Sequence, residues 1–96
     1  MKNEDWIRLG MRIRDIRLQR QFTSKALASM IGIHSSHLSN IDRAHANPSL
    51  ELVVAIVSVL DVSMDYIVRG IRPPFNYGGL VFRSDDELEQ NFRLTE

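Results

Sequence analysis

The chain has 96 residues, no cysteine, 44% hydrophobic residues, and twelve Lys and Arg against twelve Asp and Glu. That is enough chain to bury one core and too little for a roomy catalytic cleft, and the lack of thiols excludes disulfide staples and thiolate metal centres. Met1-Lys2-Asn3-Glu4-Asp5 lacks the apolar run of a signal peptide and no stretch approaches the roughly 20 apolar residues of a membrane span, so a cytoplasmic protein with no membrane partner is expected. The zero net charge hides a sorting along the chain. Residues 1–48 hold eight basic side chains (Lys2, Arg8, Arg12, Arg14, Arg17, Arg20, Lys25, Arg43) against four acids, and residues 49–96 hold four against eight. A polyanion is attracted by the first half and repelled by the second.

From Asn3 to Arg20, acids occupy the first turn and Leu9, Ile13, Ile16 and Arg20 recur at helical spacing, which predicts an amphipathic first helix slightly weakened by Gly10. Thr23 is placed to cap a second helix with Leu27, Ala28 and Ile31 facing inward, and Gly32 to end it in the left-handed conformation. Ile33 plugs the turn. A third helix, about Ser35 to Arg43, buries Leu38 and Ile41 and leaves Ser35, Ser36, Ser39, Asn40 and Arg43 outside. Two helices joined by a tight glycine turn, the second with a polar outer face, suit insertion into a DNA groove.

Pro48 keeps the preceding residue out of the helical region, and Ser49 can cap a fourth helix running to Leu60. Only Glu51 and Ser58 are polar in that helix, more apolar surface than one core contact needs, so a second face should be covered by the C-terminal tail or by a second copy of the chain. A fifth helix is expected from Met64 to Val68, capped by Ser63 and stopped by Gly70. Arg72-Pro73-Pro74 then forces an extended path, Leu80-Val81-Phe82 suits a short strand, and Ser84-Asp85-Asp86-Glu87 has the spacing of a capping box for a terminal helix. Phe75, Tyr77, Phe82 and Phe92 are too many aromatic residues for a solvated linker, so the tail should dock on something.

Residues 12–70 carry a recognisable pattern: Arg12-Ile-Arg-x-Ile-Arg17, Phe22-Thr23, Ala26-Leu-Ala28, Ile31-Gly-Ile33, Leu38-Ser-x-Ile-Asp-Arg43, Asn47-Pro-Ser-Leu50 and Leu60-x-Val-Ser-x-Asp-Tyr-Ile67. With these spacings the chain resembles the phage-repressor, Cro-like or Xre-like, helix-turn-helix transcriptional regulators. The resemblance implies an all-α, lambda-repressor-like five-helix DNA-binding domain over residues 1–70. Residues 71–96 then form a C-terminal extension, with a short strand, a helix or both, for dimerisation or partner docking. It further implies that Ser35, Ser36 and Asn40 meet base edges, with His37 and Ser39 beside them. Asn40 is the best specificity candidate because an amide pairs bidentately with adenine.

By the same resemblance Ser24 stands where relatives carry a phosphate-touching Gln, and Arg43 and Asn47 lie where the family grips the backbone. Arg17 and Asp42 match an ion pair, usually Arg with Glu, that ties the first helix to the end of the third. Ala44 replaces the usual glycine at that end, which suggests a different exit. Arg12 is a further candidate for phosphate contact; for Arg8 and Arg14 solubilising charge is the competing reading, as a plain solvated helix face is for the serines.

His34 and His37 are three apart on one helix, but with only His45 nearby and no cysteine a metal site is not expected. His34 fits the N-cap slot and His37 a face toward DNA or solvent. Gly78-Gly79 lacks the following lysine and the strand-to-helix setting of a phosphate loop, and no Ser/His/Asp set sits in a recognisable frame, so neither an enzyme nor a cofactor is expected. The expected function is a sequence-specific regulator, a repressor holding a palindromic operator as a homodimer on double-stranded DNA. The alternatives are an antitoxin or immunity-type protein whose tail binds an effector or toxin, and an interaction module that has lost DNA binding.

Overall fold

The computed structural model describes residues 3–92; Lys2 of the basic half and residues 93–96 of the extension lie outside the described residues. From the second helix on, every helix begins where the sequence supplies an acceptor for an orphan backbone N–H. The helices are α1 (Asn3–Gln19), α2 (Ser24–Ile31), α3 (Ser35–Asp42), α4 (Leu50–Leu60), α5 (Met64–Arg69) and α6 (Asp85–Phe92). Thr23 Oγ1 accepts from Ala26 N at 3.0 Å, Ser49 Oγ from Leu52 N at 3.2 Å and Ser63 Oγ from Tyr66 N at 3.3 Å. At α6 the capping box closes both ways: Ser84 N donates to Glu87 Oε1 at 2.9 Å and Glu87 N to Ser84 Oγ at 3.3 Å.

α1 lies across the other helices and supplies the core with Leu9, Ile13 and Ile16; these meet Leu27 and Ala28 of α2, Leu38 and Ile41 of α3, Val53, Ile56 and Leu60 of α4, and Tyr66 and Ile67 of α5. Gly10 sits where α1 crosses the end of α3: a Cβ there would come within 2.5 Å of the Asp42 carbonyl oxygen and 2.7 Å of that of Ile41. The glycine lets two backbones touch, which its modest cost to helix propensity did not reveal.

The extension folds back on its own domain. Leu80 and Phe82 join the core, Leu88 is buried, and the Phe82 ring meets Tyr66 edge-on at 5.1 Å and Tyr77 at 4.9 Å. The Tyr77 hydroxyl accepts from Ser63 N, and the Tyr66 hydroxyl donates to the Arg83 carbonyl. The strand expected at Leu80-Val81-Phe82 does not form. In place of a neighbouring strand, the Gln19 amide takes both backbone groups of Val81, donating to its carbonyl at 2.9 Å and accepting from its N–H at 2.8 Å. α6 packs mainly on α1. Among the described residues the second apolar face of α4 stays open, with Leu50 72% and Val54 44% exposed.

Candidate nucleic-acid interface

The turn between α2 and α3 is built from local chemistry. Gly32 adopts φ 79°, Ile33 N donates back to the Ala28 carbonyl at 3.0 Å, and the half-buried Ile33 side chain packs on the core. His34 then opens α3: its Nδ1 accepts from Ser36 N at 3.1 Å and lies 2.8 Å from Ser36 Oγ. Leu38 and Ile41 face inward and fix the rotation of the helix, so Ser36, His37 and Asn40 are exposed, with Ser35 and Ser39 half-buried at the flanks.

Beyond the α3 terminus Ala44 takes φ 61°, the left-handed conformation a glycine would adopt. The exit is thus glycine-like, against the expectation of a different path. His45 N and Ala46 N both donate to the Asn40 carbonyl, at 2.7 and 3.2 Å. Arg43 and Asn47 are exposed on the two sides of this turn, and Ser24 is half-buried in the first turn of α2. Arg43, Asn47, Ser24, Ser35, His37, Ser39 and the Asn40 amide make no side-chain hydrogen bond or ion pair among the described residues, so their polar atoms remain available.

Arg17 and Asp42 stand side by side, Nη2 to Oδ2 at 3.7 Å, with both side chains more than nine-tenths buried. Arg17 Nη1 also donates to the Phe22 carbonyl at 2.8 Å, while Arg17 Nε and Asp42 Oδ1 have no partner among the described residues. Burial pushes the Asp42 carboxyl up to about 6, against the pull of Arg17, Arg14 and Arg43. A carboxylate one methylene shorter than Glu reaches only one edge of the guanidinium, which accounts for both the long contact and the orphaned atoms.

Arg12 departs from its expected place. It is 4% exposed, donates Nη1 to the Ile67 and Val68 carbonyls at the end of α5, and grips both Asp85 oxygens through Nε at 3.1 Å and Nη2 at 2.9 Å. The phosphate contact expected of Arg12 is thus closed off, because the fold of the tail brings Asp85 to it and α5 takes its remaining donors. Arg8 lies 4.0 Å from the same carboxylate, and Arg14 stacks on Phe92, 4.7 Å from the ring centroid. The basic surface of α1 is thereby partly spent on the acidic tail, while Arg43, the C-cap of α3, stays exposed. A cleft of about 610 Å³ separates the two, lined by Ser24, Ser39 and Arg43 on the helix-turn-helix side and by Glu89 and Phe92 of α6.

Residues 13–67 match the helix-turn-helix family. Over 60 residues, 62% of the chain, it is 35% identical to the immunity repressor protein of Bacillus phage phi105, of which it covers 42%. Over 62 residues, 64% of the chain, it is 35% identical to the HTH-type transcriptional regulator SinR of Bacillus licheniformis, of which it covers 56%. The HTH-type transcriptional regulator ImmR of Bacillus subtilis is 28% identical over 60 residues, 62% of the chain and 47% of that relative. The chain spans about half the length of the curated relatives it matches. The matched residues cover α2, the Gly32 turn and α3, so the chain belongs to the helix-turn-helix family, in its phage-repressor-like branch.

Proposed function

We propose that the protein is a sequence-specific DNA-binding transcriptional regulator of the cytoplasm, a repressor that occupies a palindromic operator as a homodimer. The observation that carries this reading is the outer face of α3: a capped helix behind an abrupt turn, whose polar side chains His37, Ser39 and Asn40 have no partner among the described residues. With α3 in the major groove, the Asn40 amide can pair bidentately with adenine, and the serines supply single hydrogen bonds to base edges. Ser24, Arg43 and Asn47 flank the helix and hold phosphates, which fixes its register. The names of the repressor and regulator relatives agree with this activity.

The open apolar face of α4, Leu50 with Val54 one turn on, is the surface we assign to the second copy. Two α3 helices related by a two-fold axis then address half-sites on the order of 10 base pairs apart. Selection of duplexes from a random pool tests the reading directly. An inverted repeat is expected, with affinity falling steeply as salt rises because bound phosphates release counterions. Failure to enrich any sequence, together with no mobility shift on random duplex at low salt, overturns it.

A further inference from the structure

We propose that His34 fixes the Ser36 hydroxyl as a hydrogen-bond acceptor, so that the base beneath Ser36 in the bound operator is one presenting an amino group, adenine or cytosine. The inference rests on the proposed placement of α3 in the major groove and narrows what that helix reads. His34 Nδ1 is 3.1 Å from Ser36 N and 2.8 Å from Ser36 Oγ. A backbone N–H can only donate, so Nδ1 must carry its lone pair and the ring proton must sit on Nε2. Between Nδ1 and the hydroxyl, the hydroxyl is then the only group with a proton to give. Its hydrogen shares the single Nδ1 lone pair with Ser36 N–H, and its own two lone pairs are left to accept.

A free serine is an indiscriminate reader because its hydroxyl turns to suit either partner. Ser36 is not free. Its exposed oxygen can accept from adenine N6 or cytosine N4, and it meets guanine O6 and N7 or thymine O4 lone pair to lone pair. Ser35 and Ser39 make no such contact and keep both options. His34 is thus a positioning residue: it acts through the serine two residues on and not on a base itself.

The test starts from the operator selected by the full chain. The position whose preference vanishes in Ser36→Ala identifies the base under that side chain. At that base, an analogue lacking the exocyclic amino group should lower wild-type affinity about fivefold, the scale of one hydrogen bond. It should cost Ser36→Ala nothing further, and a 7-deaza purine there should be harmless to both. His34→Gly keeps a tolerated N-cap yet frees the hydroxyl, so discrimination against guanine and thymine at that position should fall several-fold with the rest of the site unchanged. His34→Asn, whose Oδ1 can accept from both Ser36 groups, should restore it. If the wild type selects an operator but the 7-deaza purine weakens binding and the amino-free analogue does not, Ser36 donates and the inference is overturned with DNA reading intact. Unchanged preference in Ser36→Ala or in His34→Gly also overturns it, and if no sequence is selected both readings fall.

Discussion

Asp42 and Ala44, two residues apart, occupy positions where the side chain present is not the one the geometry favours. Ala44 holds φ 61° where a Cβ costs about 1–2 kcal/mol. Ala44→Gly should therefore raise stability by about 0.5–1 kcal/mol, the gain being trimmed by glycine's freer unfolded chain; a urea midpoint that falls would refute the strain. Asp42 binds its proton more tightly in the folded state, at about 6 against an ordinary 3.8, because burial disfavours the charge. Ionised Asp42 thus costs stability at neutral pH, and the cost is relieved as pH falls through about 6 and gone below about 3.8. At about 1.4 kcal/mol per unit the relief is on the order of 3 kcal/mol. Urea unfolding between pH 7.5 and 4.5 should show the wild type gaining stability relative to Asp42→Asn; parallel curves would dismiss the effect. The pairing of Arg17 with Asp42 was legible from the resemblance, but the burial that shifts the carboxyl was not, since it depends on α1 lying across the end of α3.

At the scale of elements, helix starts were readable because a cap is a contact between residues two or three apart. Thr23, Ser49, Ser63 and Ser84 all cap as their positions require. Contacts between elements were not, apart from the Arg17–Asp42 tie that the resemblance implied. Gly10 reads as a weak point of α1 and is in fact its crossing point with α3. Gly10→Ala should improve intrinsic helicity yet push α3 outward, destabilising the fold by about 1–3 kcal/mol. It should also weaken operator binding more than the lost stability explains. A thermal melt alongside a binding isotherm separates the two effects, and an unchanged melt would show that α3 is not held by this crossing. Arg12 ties α1 to the end of α5 and to the first turn of α6. Arg12→Met keeps the buried stem and removes the bonds, leaving Asp85 without its bidentate partner and the two carbonyls unpaired. Hydrogen exchange should then rise across residues 80–92 with α3 protection unchanged; uniform protection would mean that the tail is held by Phe82 and Leu88 alone.

For the whole molecule, the charge halves of the chain are folded against each other. Asp85 answers Arg8 and Arg12, and Arg83 reaches back to Asp15 at 2.8 Å. Ending the chain after Gly70 strips Leu80, Phe82 and Leu88 from the buried set, each worth about 1.5–3 kcal/mol. Such a loss is comparable to the whole stability of a small domain, so the truncated chain should melt far lower or fail to fold, whatever its oligomeric state. Leu50→Glu with Val54→Glu should act the other way, leaving the monomer melt nearly unchanged and lowering dimer content in sedimentation if α4 is the contact between copies. The helices, their caps, the Gly32 turn and the polar face of α3 could be read from the amino-acid order alone, because these follow from interactions within a few residues and from one repeating period. It took the folded chain to turn Arg12 inward, to make Gly10 a contact point, to set Gln19 in place of a neighbouring strand, and to complete the core with the tail. Those facts join residues up to 73 positions apart, and neither composition nor spacing says which distant groups a folded chain brings together.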